Sequence, residues 1–315
     1  MNQSRKLTDG ALLTVIFIIL MSIAIFVPGA LLIIIFVLPL PFIVYAYRYD
    51  WQPSLIMFGA TILFSLFYVS IITLPLTVLA GLGGIMIGTA IHRKMSSYET
   101  LGRGTLGFIA GLLFIYLFVI VFLKIDLVNE IDMMMEESLE MSQGIMSEFG
   151  FPELTEQDLE PIMAQLSMAK DLVPVGIAMI SILLAFISQW FSYKFFNRLE
   201  KTQLYFPPFR DLRLPFAIAW IYFISFIVML MDLDPGGAIH LVTNNVFSLV
   251  GMFIVLQGVS FMFFITYQKK WPKALPILGV ILILILPYYF INIVRILGII
   301  DIGFGIRDRY LKKKK

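Results

Sequence analysis

From Ala11 onward the chain is cut into apolar runs, at 11–27, 30–47, 54–73, 75–92, 104–125, 173–197, 214–232, 241–268 and 275–298. A helix rises about 1.5 Å per residue, so roughly 20 residues cross ~30 Å of hydrocarbon. In lipid the backbone must satisfy its own hydrogen bonds, and a long apolar run does so as a helix. The expected fold is therefore all-α: a polytopic integral membrane helical bundle with about nine transmembrane segments, within a range of about eight to ten. Composition agrees. Charged residues make up 14% of the chain and hydrophobic residues 60%, whereas a soluble domain carries about a quarter charged residues. The mean hydropathy is +0.93, which overrules the two soluble domains that length alone suggests.

Pro28-Gly29, Pro53 and Pro75 punctuate the early runs, as expected of breaks between helices. Orientation follows from Lys and Arg in short loops. With the N-terminus inside, the inner segments collect Arg5, Lys6, Arg48, Arg93, Lys94, Arg103, Lys194, Arg198, Lys201, Arg210, Arg213, Lys269, Lys270 and Lys273, fourteen against only Lys124 and Lys170 outside. A retained first helix, a cytoplasmic N-terminus and a bacterial inner (plasma) membrane location are expected. The tail, with Arg307, Arg309 and Lys312 to Lys315, follows an odd-numbered span and would lie outside unless 275–306 folds back at Pro287. The twelve residues before that proline reach only ~18 Å, so a re-entrant piece is the other option. The organisation is then 1–125 with five spans, 126–172 as an insertion, 173–306 with the remaining spans, and 307–315 as a basic tail.

Asp126 to Asp171 holds twelve Asp and Glu, one Lys and seven Met. Leu127, Ile131, Met134, Leu139 and Ile145 fall near helical spacing. Thr155-Glu156-Gln157-Asp158 reads as a capping box, before Leu159, Ile162, Met163 and Leu166. The expectation is a pair of amphipathic helices outside the membrane, on the extracytoplasmic face.

Polar residues inside the runs carry the functional question. Asn244, Ser248, Gly251 and Gly258 lie near one line of a helix, a small and polar stripe that suits helix packing. Ala80, Gly84 and Gly88 recur every fourth residue, as do Gly107 and Gly111, and these too read as packing positions. Asn244 and Asn245 fall near the first turn. Gln257 is deeper and on another face, where an amide needs its own partner. Arg295, with Asn292 three residues before and Asp301 six after, is a charge at membrane depth. Either it serves a substrate, with Gln257 and Asn292 as further candidate ligands, or it snorkels or pairs with Asp301. Arg210 and Arg213, in the proline-rich loop 206–215, suit anionic lipid heads or the carboxylates of a cytoplasmic partner.

Catalysis finds little support. The chain has no cysteine, which removes thiolate chemistry, disulfides and Cys-based metal sites. His92 and His240 lack the spacing of a zinc motif, and neither a nucleophile elbow nor a nucleotide fingerprint occurs. No catalytic residue, metal site or cofactor is expected, and nucleic acid is not an expected partner.

Three stretches carry a resemblance: "FRDLRLP" (209–215), "NNVFSLVGMFIVLQGVSF" (244–261) and "LGIIDIGFGIRDR" (297–309). With the arrangement of spans, they make the chain resemble the YybS-like family of bacterial polytopic membrane proteins. That resemblance implies the architecture and carries no activity. The first six spans, on "LPLPFIVYAYRYDWQPSLIMFGA" (38–60) and the glycine-rich fourth run, are more distantly similar to the substrate-binding subunits of energy-coupling factor transporters. This second resemblance implies a vitamin or metal ion held near the outer side and docking on an ATP-driven module. The first run, "ALLTVIFIILMSIAIF", lacks the paired alanines that such subunits use for docking, and the extra spans and acidic insertion depart from the pattern. The sequence thus leaves two readings: a solute-binding or transport-related membrane protein for a small molecule or cation, with an S-component-like core, or a non-transport scaffold or regulator whose 194–213 loop contacts a cytoplasmic partner or anionic membrane lipid and whose outer insertion contacts an envelope component.

Overall fold

A computed structural model describes residues 3–68, 71–150, 162, 170–231, 234 and 237–312. Among the described residues the regular structure is entirely helical. Six helices are long and apolar enough to cross a membrane: Gln3–Phe26, Ile71–His92, Ser97–Leu123, Val173–Leu199, Ala238–Gln268 and Pro287–Phe304. Three shorter apolar helices, Trp51–Phe67, Ala217–Met229 and Ala274–Ile285, join them. The chain divides into two units, the first of residues 1–170 and 176–206, the second of 171–175 and 207–315.

The first unit is built around α5 (Leu74–His92), after α1 (Gln3–Phe26), α2 (Leu31–Ile34), α3 (Leu40–Tyr49) and α4 (Trp51–Tyr68). The run 30–47 is not one helix, because Pro39 and Pro41 cannot donate the bonds that would continue it. It breaks into α2 and α3, and the Phe36 carbonyl freed between them accepts the Ser188 hydroxyl at 3.0 Å. Irregular backbone at membrane depth is tolerated where protein satisfies it in this way. Glycines set the spacing on either side of α5. A Cβ on Gly84 would lie 2.7 Å from the Pro39 carbonyl oxygen, and one on Gly88 2.5 Å from that of Ile43. On α6 (Ser97–Phe118), a Cβ on Gly107 would meet the Leu82 carbonyl at 2.7 Å and one on Gly111 the Leu79 Cα at 2.7 Å. Phe17, Phe42 and Phe58 fill the remaining interior edge to edge, with ring centroids 5.1 and 5.9 Å apart.

A capping box opens α6: the Ser96 hydroxyl accepts the Glu99 amide, and the Glu99 carboxylate accepts the Ser96 amide. A π-turn, Val119–Leu123, ends it at left-handed Lys124. The insertion follows as α7 (Leu127–Glu148), whose first turn Asp126 caps by accepting the Asn129 amide. Lys170 pairs with Asp132. The expected second helix of the insertion, with its Thr155 cap, lies outside the described residues except Ile162. At the opposite end of the unit from the α7 start, Arg48 bridges Glu200 at 2.9 Å and Asp9 at 3.4 Å.

After α8 (Val173–Leu199), the second unit contains α9 (Ala217–Met229), α10 (Ala238–Gln268), α11 (Ala274–Ile285), α12 (Pro287–Phe304) and α13 (Ile306–Lys312). The final apolar run, read as one segment, is in fact two helices. Leu286, at φ −127° and ψ 61°, leaves the helical region just before Pro287. The twelve-residue α11 spans only ~18 Å at 1.5 Å per residue. The short turn after α10 sends α11 back along it, with Gly279 against Met262. α12 then reverses again. The charged side chains that follow Pro287 meet α10 in ascending order, Arg295 at Gly251, Asp301 at Gln257 and Arg307 at Ser260, so α12 runs parallel to α10, with Gly258 and Gly298 each meeting a carbonyl one turn before the other helix's glycine. The hairpin returns the chain end to the end of the unit where loop 207–215 lies.

Candidate functional site

The second unit places its polar side chains in two clusters. The deeper-set one forms where α10, α12 and loop 207–215 converge. Close approach comes first: Gly258 sits against the Val294 carbonyl and Gly298 against that of Ile254. With backbones this near, short polar side chains reach across. Gln257, 2% exposed, donates to Asp301 Oδ2 at 2.5 Å and accepts the Leu214 amide at 3.0 Å. Arg307 closes the cluster. Its Nε donates to Asp301 Oδ1 and Oδ2 at 3.0 and 2.8 Å, and its Nη2 lies 2.7 Å from Oδ2. Nη1 donates to the Arg210 carbonyl at 2.6 Å and Nη2 to the Ser260 hydroxyl at 3.2 Å. Ser260 in turn donates to the Phe209 carbonyl at 2.8 Å. The guanidinium also stands 5.1 Å from the Phe264 ring centroid.

Both ionic side chains are almost wholly buried, 3% and 2% exposed. A buried ion pair offsets its desolvation only when geometry is good and the remaining donors are satisfied; here every guanidinium nitrogen has an acceptor. The chemical consequence is a clasp. One charged pair ties the return helix to the loop, and no group in it is left over for a ligand.

Two sequence expectations are corrected at this point. Asp301 pairs with Arg307 and not with Arg295, because Gly305, left-handed at φ 55°, ends α12 and turns Arg307 back onto it. Arg307 accordingly belongs to the core and not to a solvated tail. Its role was missed because it sits among surface-type basic residues; the Gly305 break two residues before it is the one local signal.

The second cluster surrounds Arg295. Gly251 lies thirteen residues into the 31-residue α10, about 20 Å from one end and 25 Å from the other. The Arg295 guanidinium lies beside it, 3.5 Å from a Cβ placed there. Its contacts are neutral: Tyr222 hydroxyl at 3.4 Å, Asn292 Oδ1 at 3.4 Å, and the Tyr222 and Phe247 rings at 5.8 and 5.9 Å. Those rings stack at 4.8 Å. The Nε is buried without a hydrogen-bond partner. Among the described residues no carboxylate pairs with Arg295.

Gln257 therefore stands in the clasp, while Asn292 and Arg295 stand together elsewhere; the three candidate ligands do not share one site. Of the stripe residues, Gly251 faces Arg295, Gly258 faces Val294, and Asn244 and Ser248 are half-buried. Asn245 does more than its neighbour. It donates to the Asp171 and Leu241 carbonyls at 2.6 and 2.8 Å and accepts the Val175 amide at 3.2 Å. Arg210 lies 3.8 Å over the Tyr267 ring, and Arg213 is exposed.

In the first unit, a cavity of about 510 Å³ opens among Tyr47, Arg48, His92, Lys94, Tyr193 and Leu204. His92 Nδ1 is 2.6 Å from the Tyr47 carbonyl. Nearby, burial and then the hydrogen bond to Asp9 push the Tyr49 hydroxyl above its ordinary value, so at neutral pH it stays a donor, 2.7 Å from the Asp9 carboxylate. Among the described residues no group of three metal-ligating side chains gathers.

Several apolar helices, glycine-mediated backbone contacts and a satisfied ion pair define a multi-pass α-helical membrane protein. The chain belongs to the family described as predicted membrane protein (DUF2232), whose model matches residues 15–302. It is 29% identical over 310 residues to the uncharacterized protein YybS of Bacillus subtilis (strain 168), covering 98% of this chain and 99% of that one. No solved structure matches. The family match and the relative agree with the first resemblance; neither carries the second, to energy-coupling factor subunits.

Proposed function

We propose that the protein is a solute-binding, transport-related protein of the bacterial cell membrane, with its N-terminus in the cytoplasm, and that its solute is a small anion. The observation that carries this reading is Arg295. A cation at mid-helix, whose contacts among the described residues are neutral and whose Nε is buried without a partner, is costly in hydrocarbon and is a functional residue by default. An incoming carboxylate or phosphate would supply the missing charge and a bidentate acceptor. The acidic insertion favours cations near the outer surface, but the group inside the helices favours anions. Tyr222 and Asn292, which contact the guanidinium, would orient the ligand beside Gly251. No reaction and no cofactor enter this reading.

The test is direct binding by the purified full-length protein in nanodiscs, against a panel of small carboxylates, phosphates, amines and vitamins. Binding of one anion class, lost in Arg295→Gln and retained in part in Arg295→Lys, is the expected result. Silence across the panel, or binding indifferent to Arg295→Gln, would contradict it.

A second reading, a non-transport scaffold or regulator, draws on the clasp. Loop 207–214 is pinned at Phe209, Arg210 and Leu214, a rigid presentation that suits a protein partner. Recovery of one stoichiometric partner by crosslinking from loop 194–213, with no solute dependence, would favour that reading.

A further inference from the structure

A groove of about 370 Å³ lies at the C-terminal end of α10, lined among others by Phe209, Arg210, Tyr267, Lys270, Trp271 and Lys273. We infer that it is a binding site for the phosphate headgroup of an anionic phospholipid in the adjoining leaflet.

Charge comes first. Among the described residues, three cationic side chains line the groove and no carboxylate does. Lys270 and Lys273 are exposed, and the turn that displays them is fixed by left-handed Lys270 at φ 55°. Arg210 is held in place twice, by its position 3.8 Å over the Tyr267 ring and by its carbonyl, which accepts Arg307 Nη1 at 2.6 Å. A pre-placed guanidinium fork flanked by two ammonium groups matches a phosphate monoanion.

Position then selects the lipid over a soluble anion. The groove sits where a 31-residue apolar helix ends, at the depth of headgroups. Tyr267 and Trp271 are 56% and 48% exposed there, and Lys269 rides over the Trp271 ring at 4.5 Å. Aromatic residues of this kind settle at the membrane interface, and clustered basic residues beside a span attract anionic lipids. The apolar floor, Phe263 and buried Pro276, suits the start of the acyl chains. The site is separate from Arg295 and stands or falls independently of the proposed solute.

The full-length protein is reconstituted with phosphatidylcholine alone or with added phosphatidylglycerol. Retained lipid is measured by native mass spectrometry, and a photoreactive phosphatidylglycerol maps the contact. The wild type is expected to retain phosphatidylglycerol and to crosslink within 263–276. Lys270→Gln with Lys273→Gln is expected to lower the preference about 30-fold, from the usual attraction of two lysines. Lys270→Arg with Lys273→Arg is expected to keep it. Lys194→Gln with Arg198→Gln, equal in charge change but on α8, is expected to leave it unchanged. Three results would overturn the assignment: an equal loss in both Gln pairs, no loss at Lys270 and Lys273, or displacement of the lipid by inorganic phosphate, which would make the site one for the free anion.

Discussion

Asp301→Ala is the sharpest perturbation of this fold. It leaves Arg307, 3% exposed, without its carboxylate, and it leaves the Gln257 amide without an acceptor at its Nε2. An uncompensated buried charge of this kind costs roughly 3–5 kcal/mol. The Arg210 carbonyl and Ser260 still accept from the guanidinium, so the lower half of that range is expected. Replacing the pair with apolar residues, Asp301→Leu with Arg307→Met, removes the charge penalty but orphans the Arg210 carbonyl and Gln257, at about 1–3 kcal/mol for each buried group left unpaired. The two changes together should therefore cost less than the sum of the single ones. Unfolding of wild type, Asp301→Leu, Arg307→Met and the double variant in mixed micelles, followed by tryptophan fluorescence during SDS titration, gives all four corners of the cycle. If Asp301→Ala stays within about 0.5 kcal/mol of wild type, or if the cycle is additive, the clasp is not a buried ion pair and the return of α12 needs another cause.

Other expectations follow from the same geometry. Gly258→Leu or Gly298→Leu drives a side chain into the facing carbonyl and should cost about 1–3 kcal/mol or block folding, read by yield and monodispersity in detergent. Asn245→Ala removes three hydrogen bonds to 171, 175 and 241; limited proteolysis should show faster cleavage near residue 171. Arg48→Ala should cost no more than about 1 kcal/mol, because the arginine is 41% exposed and surface pairs contribute little. Tyr49→Phe removes the donor to Asp9. Because the folded-state Tyr49 pKa is raised above its ordinary 10.0, its contribution is complete at neutral pH and fades only as pH climbs through the raised value, so a difference between Tyr49→Phe and wild type should persist at pH 7 and shrink in strong alkali.

Much of the architecture was legible in hydropathy alone. Runs such as 104–125 and 241–268 are helices because no other open structure satisfies a backbone in oil. The glycines at 84, 88, 107 and 111 mark places where a side chain would strike a neighbouring backbone, which residue type can signal. Proline also spoke, but ambiguously. Pro39 and Pro41 break the second run into two pieces, and Pro287 converts the last run into a hairpin, although each run counts as one segment by length. What the sequence withheld were the pairings. Gln257 and Asp301 are 44 residues apart, and Arg210 and Arg307 are 97 apart. Which of two nearby arginines takes Asp301 depends on the reversal at Gly305, which no hydropathy window reports. Arg295 was flagged by its depth, but the neutral character of its surroundings came only from the helices that face it.

The hairpin of α11 and α12 decides where the chain end lies, and the chain has no native cysteine to confuse a label. Single cysteines at Lys270 and Arg309, probed in right-side-out and inverted membrane vesicles with an impermeant maleimide, test the hairpin directly. Both positions should react from the same side, with a cysteine at Ser142 in the acidic insertion reacting from the other. Labelling of the Arg309 position only from the side opposite Lys270 would mean that the last apolar run crosses the membrane once, and the clasp described above would not form.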